Sequence, residues 1–126
     1  MPDIMEIGKA IVSLCDQQEY MEAIERFYAD DIVSVEASAG PDMPARTEGI
    51  EAIKGKTRWW VENHTVHSTE AKGPYPHGDR FILFFKLDVT AKAGPMSGQR
   101  FQMEEAALYT VKNGKIVHEE FFYSMG

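Results

Sequence analysis

Residues 101–123, FQMEEAALYTVKNGKIVHEEFFY, decide the fold. Two alternating, largely apolar runs flank Lys112-Asn113-Gly114, and that is the chemistry of a β-hairpin. Two registers are open to it. A two-residue Asn113-Gly114 turn pairs Val111 with Ile116. A three-residue loop, with Gly114 left-handed as a bulge, pairs Val111 with Lys115 instead. One residue of slip sends side chains to the opposite face, so apolar consistency chooses between the two. In the three-residue register one face carries Phe101, Met103, Glu105, Ala107, Tyr109 and Val111 with Val117, Glu119, Phe121 and Tyr123; eight of these ten are apolar or aromatic. The other face, with Gln102, Glu104, Ala106, Leu108, Thr110, Ile116, His118, Glu120 and Phe122, is more polar. The three-residue loop is therefore expected.

That register carries a chemical consequence. Glu104-Glu105 and Glu119-Glu120 are adjacent pairs, and alternation sends one member of each inward. The inward members, Glu105 and Glu119, are expected diagonally across the ladder, roughly 5–8 Å apart, within an aromatic wall. Burial raises a carboxylic acid's pKa, and a like-charged neighbour raises it further. Such a pair supplies a proton donor and a proton acceptor together.

Upstream of the hairpin the pattern is first helical, then alternating. Ile4, Ile7, Ile11 and Leu14 share one helix face, and Met21, Ile24 and Phe27 mark a second helix. Residues 32–36, IVSVE, read as a β-branched strand, and 39–44 as a loop whose Met43 is a candidate cover for a pocket. A third helix follows with Thr47 as N-cap and Ile50, Ile53, Trp60 and Val61 as its apolar face. After His64 the chain alternates, with turns read at 73–79, 93–98 and 112–114. Helices followed by consecutive hairpins predict an α+β fold: a curved, mainly antiparallel sheet covered by three N-terminal helices.

Composition narrows the function classes. The chain has 126 residues, enough for one domain spanning 1–126, and carries 20 acidic against 13 basic residues for a net charge of −7. An acidic surface repels phosphate backbones and anionic lipid heads, which argues against nucleic-acid and membrane partners. No apolar run approaches the roughly 18 residues of a membrane span. Asp3 and Glu6 stand where an export signal needs basic residues, so a cytoplasmic location is expected. Cys15 is the only cysteine, His64 and His67 have no third convergent ligand, and Gly49–Thr57 has five residues between its glycines where a phosphate loop has four. Neither a metal nor a cofactor is expected.

The order helix–helix–strand–helix–sheet, together with MEAIERFYADDIVSVEA (21–37), EGIEAIKG (48–55) and YTVKNGKIVHEEFFY (109–123), resembles the nuclear transport factor 2-like superfamily, in particular its SnoaL-like and ketosteroid-isomerase-like branch. The resemblance implies a cone-shaped roll enclosing an apolar pocket, and a homodimer. It does not imply one activity, because this fold hosts isomerases, cyclases, dehydratases, epoxide hydrolases and non-catalytic binders. It places the isomerases' general base at Glu36, whereas their oxyanion-binding tyrosine falls near Val12 and their protonated aspartic acid on Ala107. The reading is a pocket for a small apolar molecule, with cofactor-independent acid–base chemistry carried by Glu36, Glu105 and Glu119. Tyr109, Tyr123, Phe121, Trp60 and Met103 are expected to contact the substrate. The alternative is a non-catalytic ligand binder or dimeric accessory module.

Overall fold

The computed structural model describes residues 3–39 and 44–124. Helices α1 (Ile4–Asp16) and α2 (Tyr20–Phe27) lead into strand β1 (Tyr28–Val35). A three-residue strand β2 (Arg46–Glu48) and helix α3 (Ile50–Glu62) follow, and then β3 (His64–His77), β4 (Arg80–Ala91), β5 (Arg100–Lys112) and β6 (Lys115–Phe122). The strands form one open sheet in the order β2-β1-β6-β5-β4-β3, antiparallel throughout except for the β1–β6 pair. This is the expected α+β roll, with the three helices on one face. Met43 and the centre of the 39–44 loop lie outside the described residues.

Each helix presents one apolar stripe to the sheet. In α1, Ile7, Ile11 and Leu14 are buried, and the Asp3 side chain caps the helix by accepting from the Glu6 amide. Gly8 is required by close approach: a Cβ there would stand 2.6 Å from the Pro74 ring on β3. The cap of α3 differs from expectation. Thr47 belongs to β2, and Gly49, with φ of 90°, precedes the helix without any side-chain cap. The turn read at 73–79 is also mostly strand. Gly73-Pro74 is taken up as an irregularity in the β3–β4 ladder, Tyr75 to His77 remain paired, and only Gly78-Asp79 turn.

The last hairpin corrects the register. Asn113 (φ 53°) and Gly114 (φ 76°) are both left-handed, so the turn is the two-residue type, and Val111 pairs with Ile116. A bulge then absorbs Val117, and Thr110 pairs with His118. The extra residue restores the parity, so the inward set on β5 still shares a face with Glu119 and Phe121. Partners nevertheless slip by two: Tyr109 stands opposite Glu119, and Ala107 opposite Phe121. Ile116, expected on the outer face, is fully buried beside Val111.

Candidate functional site

The inner face of the sheet is closed at one end and open at the other. Along β5, Tyr109 and Ala107 are buried, whereas Glu105, Met103 and Phe101 are half-buried. Ile32 and Ser34 on β1 are fully buried and Glu36, just past its end, is half-buried. From α3, Ile53, Lys56 and Trp60 point to this region at the i, i+3, i+7 spacing of a single helix face. The strand alternation and the helix repeat thus bring Glu36, Lys56 and Glu105 to the half-open end.

A chain of hydrogen bonds links these groups. The Lys56 ammonium donates to Glu36 Oε1 at 3.0 Å and to Ser34 Oγ at 3.1 Å. Tyr123 donates to Glu36 Oε2 at 3.2 Å. Ser34 lies beside Glu119 on the parallel β1–β6 ladder and its hydroxyl supports that carboxyl, which also accepts from Tyr28. Tyr28 in turn is in hydrogen-bonding contact with Tyr109. The ammonium also sits 6.0 Å from the centre of the Phe121 ring. With side-chain exposures of 15% and 26%, the Lys56–Glu36 pair is screened far less than the surface pairs, such as Arg46–Glu48.

The carboxyl groups feel one another. Burial pushes the Glu105 carboxyl up to about 7; the charges of Glu36 and Glu119 push the same way, and Lys56 opposes them. Burial raises Glu119 as well, against the hydrogen bonds from Tyr28 and Ser34 and the charge of Lys56. Tyr28 and Tyr109 are held well above the ordinary tyrosine value by burial and by the Glu119 charge. The Lys56 charge favours the ionised form of both carboxyls and pairs directly with Glu36, so it is a counter-charge shared by Glu36, Glu105 and Glu119.

The expected site residues therefore separate into two groups. Glu36, Glu105, Tyr123, Phe121, Met103 and Trp60 are half-buried at the open end. Trp60 packs edge-on to Tyr20 and stacks on His64, while Trp59 is 46% exposed. Glu119 and Tyr109 are each 3% exposed and lie behind this wall, with Tyr109 stacked on Phe81. Glu105 and Glu119 are not diagonal neighbours. Glu105 is four residues along β5 from Tyr109, the partner of Glu119, or roughly 13 Å of strand.

Sequence reasoning missed Lys56, Ser34 and Tyr28. The signal for Lys56 was a lysine inside the apolar stripe Ile53–Lys56–Trp60. For Ser34 it was a small polar residue on the inward positions Ile32–Ser34–Glu36. The histidines are engaged elsewhere, His64 with the Trp60 carbonyl and His67 with Thr90. Among the described residues no group of three or more His, Cys, Asp or Glu is arranged to hold a metal ion.

Two depressions open on the described surface. One of about 330 Å³ lies at the ends of β1 and β6, where Glu36, Phe121 and Tyr123 contribute to its lining. The other, of about 420 Å³, is formed mainly by outward side chains of the sheet, including Lys72, Phe84, Lys86, Glu104 and Phe122, and the inward-alternating Phe85 and Glu105 also reach its lining. Glu36 thus lines the smaller depression and Glu105 the larger, and the ion pair and hydrogen bonds of the site gather at the Glu36 end. No helix among the described residues is long and apolar enough to cross a membrane.

Comparison with known proteins agrees with this architecture. The SnoaL-like domain family model matches residues 4–123. A protein from Mesorhizobium loti, provisionally named a SnoaL-like polyketide cyclase [carbohydrate phosphatase], is 48% identical, with a TM-score of 0.88 over 97% of this chain and 100% of that one. An NTF2-like protein from Burkholderia thailandensis shares the fold at 21% identity, with a TM-score of 0.79 over 98% of this chain and 92% of that one. So does a hypothetical protein from Catenulispora acidiphila with a ketosteroid isomerase-like fold, solved in complex with trimethylamine. Its identity is 19% and its TM-score 0.71, over 95% of this chain and 86% of that one. None of the curated proteins matches the sequence significantly. The family match covers nearly the whole chain, and the chain belongs to the SnoaL-like domain family.

Proposed function

We propose that the half-open end of the inner face binds a small, largely apolar carbonyl compound and moves a proton on it without a cofactor, as an isomerase, cyclase or dehydratase does. The observation that carries this reading is the Lys56–Glu36 pair at 3.0 Å, with Phe121 6.0 Å from the ammonium and a half-buried Glu105 whose carboxyl feels Glu36, Glu119 and Lys56. Glu105 is assigned the proton transfer. It is half-buried, accepts no side-chain hydrogen bond in the network of Lys56, Ser34, Tyr28 and Tyr123, and with its carboxyl pushed up to about 7 it both holds and releases a proton near neutral pH. Glu36, which the resemblance marks as the base, is assigned to anchoring Lys56, because Lys56 and Tyr123 already occupy both of its oxygens. Glu119 and Tyr109, being buried, act as positioning residues behind the wall. Phe121, Tyr123, Trp60 and Met103 are the proposed ligand contacts. The trimethylamine complex of the Catenulispora protein supports a small molecule as the kind of partner this fold takes.

Proton exchange tests the reading without knowledge of the physiological substrate. Acetophenone, an apolar ketone with exchangeable methyl protons, is incubated with the protein in D2O and followed by NMR. The wild type is expected to accelerate exchange, and Glu105→Gln to lose about 100-fold or more of that acceleration. No acceleration by the wild type between pH 6 and 8, or an undiminished rate in the variant, sinks the assignment. Acceleration absent while acetophenone binds saturably would favour the non-catalytic binder.

We also propose that a second copy of the chain covers the outer sheet face. Phe84 and Phe122, each 48% exposed, flank Ala106 on one row across β4, β5 and β6, and Tyr75 is 55% exposed against Phe84. Contiguous exposed aromatics of this kind mark association surfaces.

A further inference from the structure

We propose that Lys56 is the group that binds the ligand's carbonyl oxygen and carries the negative charge formed there, which makes it a catalytic residue of the site. The proposal rests on the acid–base reading above and deepens it by naming the oxygen-binding group and the ligand class, a neutral ketone or aldehyde.

Donor arithmetic comes first. A lysine ammonium has three N–H donors and no acceptor. Two of them are spent inside the protein, on Ser34 Oγ and Glu36 Oε1. Both partners lie on or just beyond β1, so they hold the ammonium from one side, and among the described residues no hydrogen-bond partner takes the third N–H, which we assign to the ligand. The aromatic ring of Phe121 lies 6.0 Å away and offers only a diffuse competing interaction. The ammonium is also fixed in place: Lys56 rises from the same face of α3 as buried Ile53, and its side chain is 15% exposed. A donor held in advance costs little reorganisation when charge develops on its target.

Charge balance then selects the ligand. Lys56 is already paired with Glu36, and its charge also acts on Glu105 and Glu119, so an anionic ligand would add negative charge beside these carboxyls, whereas a neutral carbonyl adds none. When Glu105 abstracts the proton alpha to the carbonyl, the C–H bond breaks and a carboxyl O–H bond forms. The electron pair moves through the new C=C bond onto the carbonyl oxygen. The negative charge leaves Glu105 as it appears on that oxygen, and the total charge of the site is unchanged. Return of the same proton to another carbon completes an isomerisation with no co-reactant.

The experiment uses carbonyl-labelled acetophenone, with infrared spectroscopy for the bound carbonyl and calorimetry for Kd. Wild type, Lys56→Met, Lys56→Arg and the double variant Lys56→Met/Glu36→Gln are compared. The double variant removes both partners of the ion pair and keeps the test valid where Lys56→Met alone fails to fold. The expected result is a carbonyl band at lower wavenumber in wild type than in the methionine variants. A Kd weaker by about tenfold to hundredfold accompanies it, with partial recovery of the band shift in Lys56→Arg. A band and Kd unchanged in the folded double variant overturn the assignment, as does a loss of proton exchange with the band unmoved, which marks Lys56 as merely structural. Exchange catalysed by a wild type whose bound carbonyl is unshifted overturns the Lys56 role alone. A wild type that neither binds nor exchanges overturns this role together with the acid–base reading.

Discussion

Replacing Glu105 by Gln tests the electrostatics of the site through stability alone. In the native protein this carboxyl is pushed from its ordinary value of 4.5 to about 7. The folded state therefore holds its proton more tightly than the unfolded chain. Its contribution to stability is fully present below about pH 4.5 and is lost as pH rises through 7. A shift of roughly 2.5 units at about 1.36 kcal/mol each amounts to about 3 kcal/mol between pH 4 and pH 8. For a chain of this length 1 kcal/mol corresponds to about 4 °C in Tm, so the effect is about 12 °C. The assay is urea or thermal unfolding of wild type and Glu105→Gln across that pH range. Other carboxylates titrate in both proteins and cancel in the difference. The difference is expected to move by about 3 kcal/mol in favour of the variant as pH rises. A difference that stays within about 0.5 kcal/mol from pH 4 to pH 8 refutes the claim that Glu105 is desolvated beside like charges.

Three further outcomes follow from the packing. Gly8→Ala adds a helix-favouring residue worth about 1 kcal/mol in an exposed helix, but its Cβ meets the Pro74 ring at 2.6 Å. Net destabilisation of about 1–3 kcal/mol is expected in urea unfolding, and a stabilised variant would contradict the α1–β3 packing. Tyr28→Phe removes a donor to buried Glu119 and should cost about 1–3 kcal/mol, more where the Glu119 carboxyl is ionised than where it is protonated, because that bond favours the ionised form. A cost that does not grow as pH rises through the Glu119 titration would contradict the contact. Sedimentation of the wild type is expected to show a dimer, and Phe84→Lys with Phe122→Lys a monomer of unchanged fold. A wild-type monomer at micromolar concentration removes the outer-face interface.

The layout of the fold was legible because its signals are periodic. Ile7, Ile11 and Leu14 recur at helical spacing, and Phe81, Leu83, Phe85, Leu87 and Val89 alternate along β4; all of them are buried. The hairpin register was not legible, because apolar pattern reports parity and not pairing. The Val117 bulge offsets the shorter turn, so the faces come out the same while the partners of Glu119 and Phe121 change. The inward direction of Glu105 and Glu119 could be read from that alternation. Their environment could not, since it depends on Lys56 and Tyr28, which reach them from α3 and the start of β1. Contacts between elements distant in sequence leave only a weak trace: one lysine interrupting an apolar helix stripe.

The proposed chemistry depends on a carboxyl of the inner face that exchanges a proton at neutral pH. The measurement that addresses it most directly is a pH titration of protein labelled with carbon-13 at the glutamate side-chain carboxyls, read by NMR in wild type and Glu105→Gln. One carboxyl resonance with a midpoint near 7 is expected in the wild type, and it is missing from the variant. A Glu105 resonance that titrates near 4.5, with the solvated glutamates, would contradict it.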